Sequence, residues 1–444
     1  MKLKVPRGVG PGLAVGGGVA ALRAAEGLAT GSWGRAATPL GEVSAWLPWQ
    51  LLDNVRSGRS PFDASVFTDG TASLASVVGN PGLAILEAPL HFIGSPAVAA
   101  AGAVLLLVVA NAVAGGVYGA ARGAPWLGAL AASAAWWAPG FTAGTGAQCC
   151  LAPGLLAAGA GADRPRWAAV FTLLGAVCAP IPTAAVLLGA GLLPQALLAV
   201  SGLLLPALGT WGGEGFGGAD LAWIGGRAER ALPLGALWAL WALGRDRGAG
   251  RAGAILAGGL LLWGLAPAPL AGFEVVVPWS ASSSPIAAAL AVLLAASLPH
   301  AAALRWQGRF LLGALLLLDA AGPVLRGGAR LWHDDPPVPA LLVTMASSPR
   351  SATVLVAPAG LSPAAAVRLI PHHHQLAARA PSLDGRGSAQ GELRPEQVLF
   401  TLRQTNAPLV LVFVSPDAGE RSVWASRLGA PRSQDGDAAV WAWP

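Results

Sequence analysis

The sequence predicts an α-helical polytopic membrane protein of about nine to eleven crossings, followed by an extracytoplasmic α/β domain. Three observations predict it. Of 444 residues, 54% are hydrophobic and only 11% are charged, less than half the roughly 25% charge of ordinary soluble domains. So few charges cannot cover a soluble enzyme of this length, and disordered chains are poor in apolar residues and rich in charge. Apolar runs long enough for helices recur from Val9 to Leu325. From Gly327 the pattern changes: the last 118 residues carry 10 Arg and 9 Asp or Glu, with the alternation of a soluble domain. The division is therefore 1–326, a multi-pass transmembrane domain, and 327–444, an external α/β domain.

The elements follow in order. Lys2, Lys4 and Arg7 precede the apolar run from Val9 to Leu28, which reads as an uncleaved first crossing with a cytoplasmic N-terminus. Arg23 and Glu26 lie near its outer end. Residues 30–94 form a large first external loop. Within it Trp46, Leu47, Leu51 and Val55 alternate with Gln50, Asp53 and Asn54, as in an amphipathic helix lying on a membrane surface. Pro96 to Gly119 returns inward to Arg122, Ala124 to Phe141 goes out, and Cys149 to Ala162 comes back to the turn Asp163-Arg164-Pro165-Arg166. Trp167 to Gly209 is broken by Pro180, Pro182, Pro194 and Pro206. It fits either three short spans or one span with a re-entrant pair. Leu232–Leu243, Ala252–Leu270, Pro285–Leu304 and Phe310–Leu325 complete the crossings. Trp126, Trp167 and Trp306 stand at the ends of spans, where indole rings anchor at the interface. In the last domain Thr353–Ala357, Leu409–Val414 and Ala438–Trp443 read as strands. Leu361–Leu369, Pro395–Thr405 and Asp417–Leu428 read as helices.

The sequence pI is about 10.2, which raises the question of nucleic acid. Arg residues sit singly at loop junctions rather than along one stripe, so positive-inside loops explain the charge and no nucleic-acid partner is expected. Cys149, Cys150 and Cys178 lie in apolar stretches without metal spacing and read as inert buried thiols. The sequence holds no phosphate-binding GxxxxGK[ST], no GxSxG and no HExxH. Asp435-Gly436-Asp437 matches a metal-binding DxD but is read more simply as a turn. His372-His373-His374 and His333-Asp334-Asp335 are read as solvated surface. No metal site is expected from these.

Ionisable residues beside a bilayer are expensive and so are functional candidates. The first external loop holds the densest set: Glu42, Asp53, Arg56, Arg59, Asp63 and Glu87. A carboxylate at a membrane-facing cleft can act as a base or hold a cation, and arginines can grip a phosphate with two hydrogen bonds. The plain alternative is an interfacial loop with helix caps and snorkelling arginines. Glu87 and His91, four apart, would share a helix face. Glu214 lies in the external loop Gly-Gly-Glu-Gly-Phe-Gly-Gly, which could close over a substrate or serve as a flexible connector.

The run from Gly41-Glu42 through Trp49 to Phe62-Asp63-Ala64-Ser65-Val66-Phe67 resembles the first extracytoplasmic loop of bacterial multi-pass glycosyltransferases of the GT-C type. Those proteins carry Gly-Asp, a surface helix and then a phrase close to FDANIF. Pro139 to Gln148 resembles their Ser-Pro…Gly-His-x-Gln phrase, with Gly144-Thr145-Gly146-Ala147-Gln148 lacking the His. The resemblance implies an enzyme of the cell envelope in the bacterial inner membrane. It would move a sugar from a polyprenyl-phosphate donor in the bilayer to an acceptor on the outer face, with inversion. By position Glu42, where the family has Asp, would be the catalytic base and Asp63 a catalytic helper. Arg56 and Arg59 would meet phosphate, and Glu87, His91, Gln148 and Glu214 would line the substrate site. No cofactor is implied beyond a divalent cation that these carboxylates could hold. Two alternatives stand beside it. A transporter or lipid flippase requires polar residues inside the crossings, where Asn111 and Asp319 are the candidates. A catalytically inactive scaffold of the same fold requires none.

Overall fold

The computed structural model describes residues 6–29, 39–61, 85–92, 96–134, 150–161, 163–203, 234–246, 248–265, 285–325, 353–357, 375–376, 395–404, 409–414, 417–435 and 438–443. Their structure is mostly helical, with a small sheet near the C-terminus. The chain divides into two units. One comprises residues 1–52 with 78–333, the other 53–77 with 334–444.

The helices of the first unit are α1 (Val9–Ala29), α2 (Pro39–Arg56), α3 (Pro96–Ala121), α4 (Pro125–Ala134), α5 (Ala152–Ala160), α6 (Pro165–Cys178), α7 (Pro180–Gly189), α8 (Leu193–Val200), α9 (Leu234–Gly244), α10 (Ala249–Leu265), α11 (Pro285–Ala303) and α12 (Trp306–Leu325). The last residues of α2 fall in the second unit. Six of the twelve begin with Pro, which suits the first turn because its missing N–H has no helical partner there anyway. Among the described residues one helix, Gly102–Ala121, is long and apolar enough to cross a membrane by length and composition; shorter apolar helices accompany it. The proline-broken stretch resolves into three short helices, α6 to α8, of 14, 10 and 8 residues.

Backbones approach closely along α3. Gly8, Gly12 and Gly16 lie against Val109, Ala112, Val113 and Gly116, leaving no room for a side chain at Gly8 or Gly12. On another side of α3, Gly115 and Gly119 meet Gly128 and Ala124. Small residues every fourth position let helices pack by van der Waals contact alone, as membrane helices do. Gly123 takes φ +83 between α3 and α4. The Ala124 N–H donates to the Gly119 carbonyl at 2.7 Å, closing the left-handed helix end that glycine favours. Arg23 is wholly buried in α1 rather than facing outward.

The centre of the unit is α11, buried at every position from Ala288 to Leu298, as expected of a helix apolar all round. Pro299 interrupts it and has no N–H for the Ala295 carbonyl four residues earlier. The Tyr118 hydroxyl, from α3, donates to that carbonyl at 2.9 Å. Two further side chains cap helices from a distance. The Leu151 and Ala152 N–H groups at the start of α5 donate to Asn111 Oδ1 at 2.9 and 3.0 Å. The Leu234 and Gly235 N–H groups at the start of α9 donate to the two Asp319 oxygens at 2.8 and 2.6 Å. A helix leaves its first N–H groups without internal partners, and in an apolar setting they must be met by a side chain.

The second unit holds β1 (Thr353–Ala357), β2 (Gln375–Leu376), α13 (Pro395–Gln404), β3 (Leu409–Val414), α14 (Ala418–Leu428), β4 (Ser433–Asp435) and β5 (Ala438–Trp443). The sheet runs β2-β1-β3-β5-β4, parallel from β2 to β3 and antiparallel from β3 to β4. Leu409, Leu411 and Phe413 share one face with Ala439 and Trp441, beneath Val398 of α13 and Trp424 of α14. The opposite face is buried at Val410 and Val440 too, which explains the unbroken apolar run of β3. Phe413 and Trp424 pack with ring centroids 4.6 Å apart. Asp417 caps α14 by accepting from the Gly419 N–H at 2.8 Å. The expected strands and the helices at 395 and 417 thus form. The expected helix at Leu361–Leu369 and the His372–His374 run lie outside the described residues.

Candidate functional site

The expected amphipathic helix forms as α2, and Leu51 is buried as its spacing predicts, but burial extends to the polar side. Gln50 and Asn54 are 2% and 0% exposed, whereas Val55 is 55% exposed. The end of α2 explains Asn54. Gly58, at φ +69, reverses the chain. The Gly58 N–H then donates to Val55 O, and the Arg59 N–H to Asn54 O at 2.8 Å. These two bonds make a Schellman closure. Asn54 Nδ2 donates onward to Pro61 O at 3.0 Å. A polar side chain that ties down the backbone beyond its own helix has reason to be inside.

This closure turns Arg59 back toward the helix, where Nη2 meets Asp53 Oδ2 at 3.2 Å. The pair is partly exposed and contributes well under about 1 kcal/mol to stability. It fixes where the guanidinium stands. Arg56, in the last turn of α2, is exposed. By the 3.6-residue repeat, positions 42, 46, 49, 53 and 56 fall along one side of α2. Along this helix position 42 is about three turns from Asp53 and about four from Arg56. The side chains of Glu42 and Trp46 lie outside the described residues, as do Asp63, Gln148 and Glu214.

Glu87 and His91 do not share a face. The chain passes from α-helical geometry at Glu87 into a 3₁₀ turn, Ala88–Phe92. At three residues per turn, positions four apart diverge by about 120°. His91 is buried. Burial also pushes the Glu87 carboxyl from its usual range up to about 8, so it holds its proton at pH 7. When ionised, it acts on the thiols of Cys150, beside the start of α5, and Cys178, at the end of α6. Both cysteines are buried and free, as expected, while Cys149 lies outside the described residues. An ionisation near neutrality is the property of a group that exchanges protons in catalysis. The sequence neighbours of Glu87, all apolar apart from His91, are the only sequence signal of this.

Among the described residues no three His, Cys, Asp or Glu side chains gather as a metal site. Asp435 lies in β4 and pairs with Ala438 of β5, leaving two residues between them. Arginines expected in cytoplasmic turns sit at helix ends. Arg309 donates to the Leu304, Ala302 and Gly123 carbonyls, Arg245 stacks on Trp241, and Arg122 stacks on Tyr118. Asn111 and Asp319, the candidates for a substrate path, serve as helix caps. No family model, no curated protein and no solved structure matches this chain.

Proposed function

We propose that this chain is a polytopic protein of the bacterial inner membrane that transfers a sugar from a polyprenyl-phosphate donor to an acceptor on the outer face. The membrane part rests on one observation, the distribution of side-chain size. Among the described residues of the helical unit, alanine is the commonest buried residue, while many large apolar residues face outward. Phe310 is 76% and Leu197 64% exposed, and Trp167, Val170, Leu173, Leu174 and Val177 line the outside of α6. Water would not tolerate so large an apolar surface, whereas lipid requires it. The shortness of α7 and its burial from Pro180 to Leu187 favour one span with a re-entrant pair over three spans, hence about nine crossings. A non-spanning helix is tolerated at membrane depth where protein surrounds it.

The transfer part rests on the run from Gly41 to Phe67. Glu42 acts as the base that takes the acceptor's proton, with Asp63 positioning substrate or cation. Arg56 and Arg59 meet the donor phosphates, the second held in place by Asp53. The decisive test is Glu42→Gln in vesicles supplied with polyprenyl-phosphate sugar. Transfer falls by a factor of about 10² or more, the usual loss on removing a general base; undiminished transfer would overturn the assignment. Asn111 and Asp319, the two residues that the transporter alternative named, each hold the start of a helix.

A further inference from the structure

An apolar cavity of about 60 Å³ lies between α4, α9, α11 and α12, walled by Ala131, Trp238, Ala239, Leu293 and Leu316 among others. It belongs to no part of the external-loop site. One buried water needs about 10–15 Å³ in the same measure, and two to four polar partners. The space is ample for several waters, but the partners are lacking. The polar side chains in the wall are Asp319, Ser297 and Trp238, the last with a single indole N–H. Asp319 gives its oxygens to the start of α9, and Ser297 donates within α11 to Leu294 O. Such a half-open space rejects water and accepts hydrocarbon.

The source of that hydrocarbon follows from the walls. The helices α9 and α12 that line the cavity turn Leu237, Trp241, Leu311 and Leu317 outward, so the same two helices carry an exposed apolar surface. We infer that the cavity is a lipid site, occupied by one hydrocarbon chain of a bilayer phospholipid. Asp319 shapes it by fixing the start of α9 against α12. The inference rests on the membrane reading but not on sugar transfer.

The test uses the full chain reconstituted in phosphatidylcholine vesicles with or without bromine on the lipid chains. Trp238 emission is taken as the difference between wild type and Trp238→Phe. Chain-brominated lipid is expected to extinguish it, and Ala131→Phe, which fills the space, to restore it. Trp238 emission unaffected by brominated chains overturns the proposal, and this needs only the wild type and Trp238→Phe. Equal quenching in a folded Ala131→Phe also overturns it. If that variant does not fold, Ala131→Leu makes the same measurement. A chain released from membranes by alkaline carbonate overturns the membrane reading itself. One that stays bound but shows no quenching at Trp238 overturns the lipid site alone.

Discussion

Tyr118, the single tyrosine of the chain, compensates at one atom for what Pro299 removes at another. Tyr118→Phe keeps the ring but strands the Ala295 carbonyl in an apolar interior, a loss of about 1–3 kcal/mol. Thermal unfolding of the purified variant is expected to shift down accordingly; an unchanged midpoint would mean that another donor takes the carbonyl. Glu87 makes a prediction of opposite character. Its folded carboxyl titrates near 8, whereas in the unfolded chain it returns to the ordinary value near 4.5. Between those values the folded state keeps a proton that the unfolded state has lost, so stability falls as pH rises through this window and levels off above it. Glu87→Gln, which cannot ionise, removes that slope. Melting midpoints from pH 5 to pH 8 should therefore diverge, the wild type declining relative to the variant. Parallel curves would show that the carboxyl is better solvated than its burial implies.

At the scale of elements, position was legible in the sequence and partnership was not. Prolines and apolar runs located α1, α3, α11 and α12 closely, because a missing N–H and a continuous apolar stretch are local properties. The division of the stretch after Trp167 was also local, since Pro180 and Pro194 mark both breaks. What escaped was everything set by contact across the chain. Gln50 and Asn54 read as the wet side of a surface helix, since periodicity weighs polarity and not hydrogen-bond partners. Asn111 and Asp319 stood out only as candidates of the transporter alternative, since a polar residue in an apolar run looks the same whether it serves a substrate or a neighbouring helix. The capping role is testable. Asp319→Ala deprives α9 of both acceptors and should destabilise the chain by about 1–2 kcal/mol, and Asp319→Asn, which retains one oxygen, by less. Equal losses would argue that charge rather than the two hydrogen bonds holds α9.

The whole molecule joins two kinds of sequence, and the change in charge near residue 327 lies close to the boundary of the units at residue 333. The change in charge is legible because an α/β unit and an Ala-rich helical unit need different surfaces. The inclusion of residues 53–77 with the C-terminal unit was not visible, because no local composition signals it. The candidate site was legible only as a loop. Its acidic residues were conspicuous against so few charges elsewhere, but the proton affinity of Glu87 arises from burial that no single stretch encodes.

The cap on α9 also has a consequence in time. Asp319 leaves the ribosome 85 residues after Leu234, which at about 5–20 residues per second is roughly 4–17 seconds of synthesis. For that interval α9 has no acceptor for its first two N–H groups and must wait, partly formed, for its distant lid. A chain stopped just before Asp319 should therefore leave the region of Leu234 open to protease in isolated membranes, and one extended past Leu325 should close it. Equal cleavage of the two would show that α9 settles before its cap arrives.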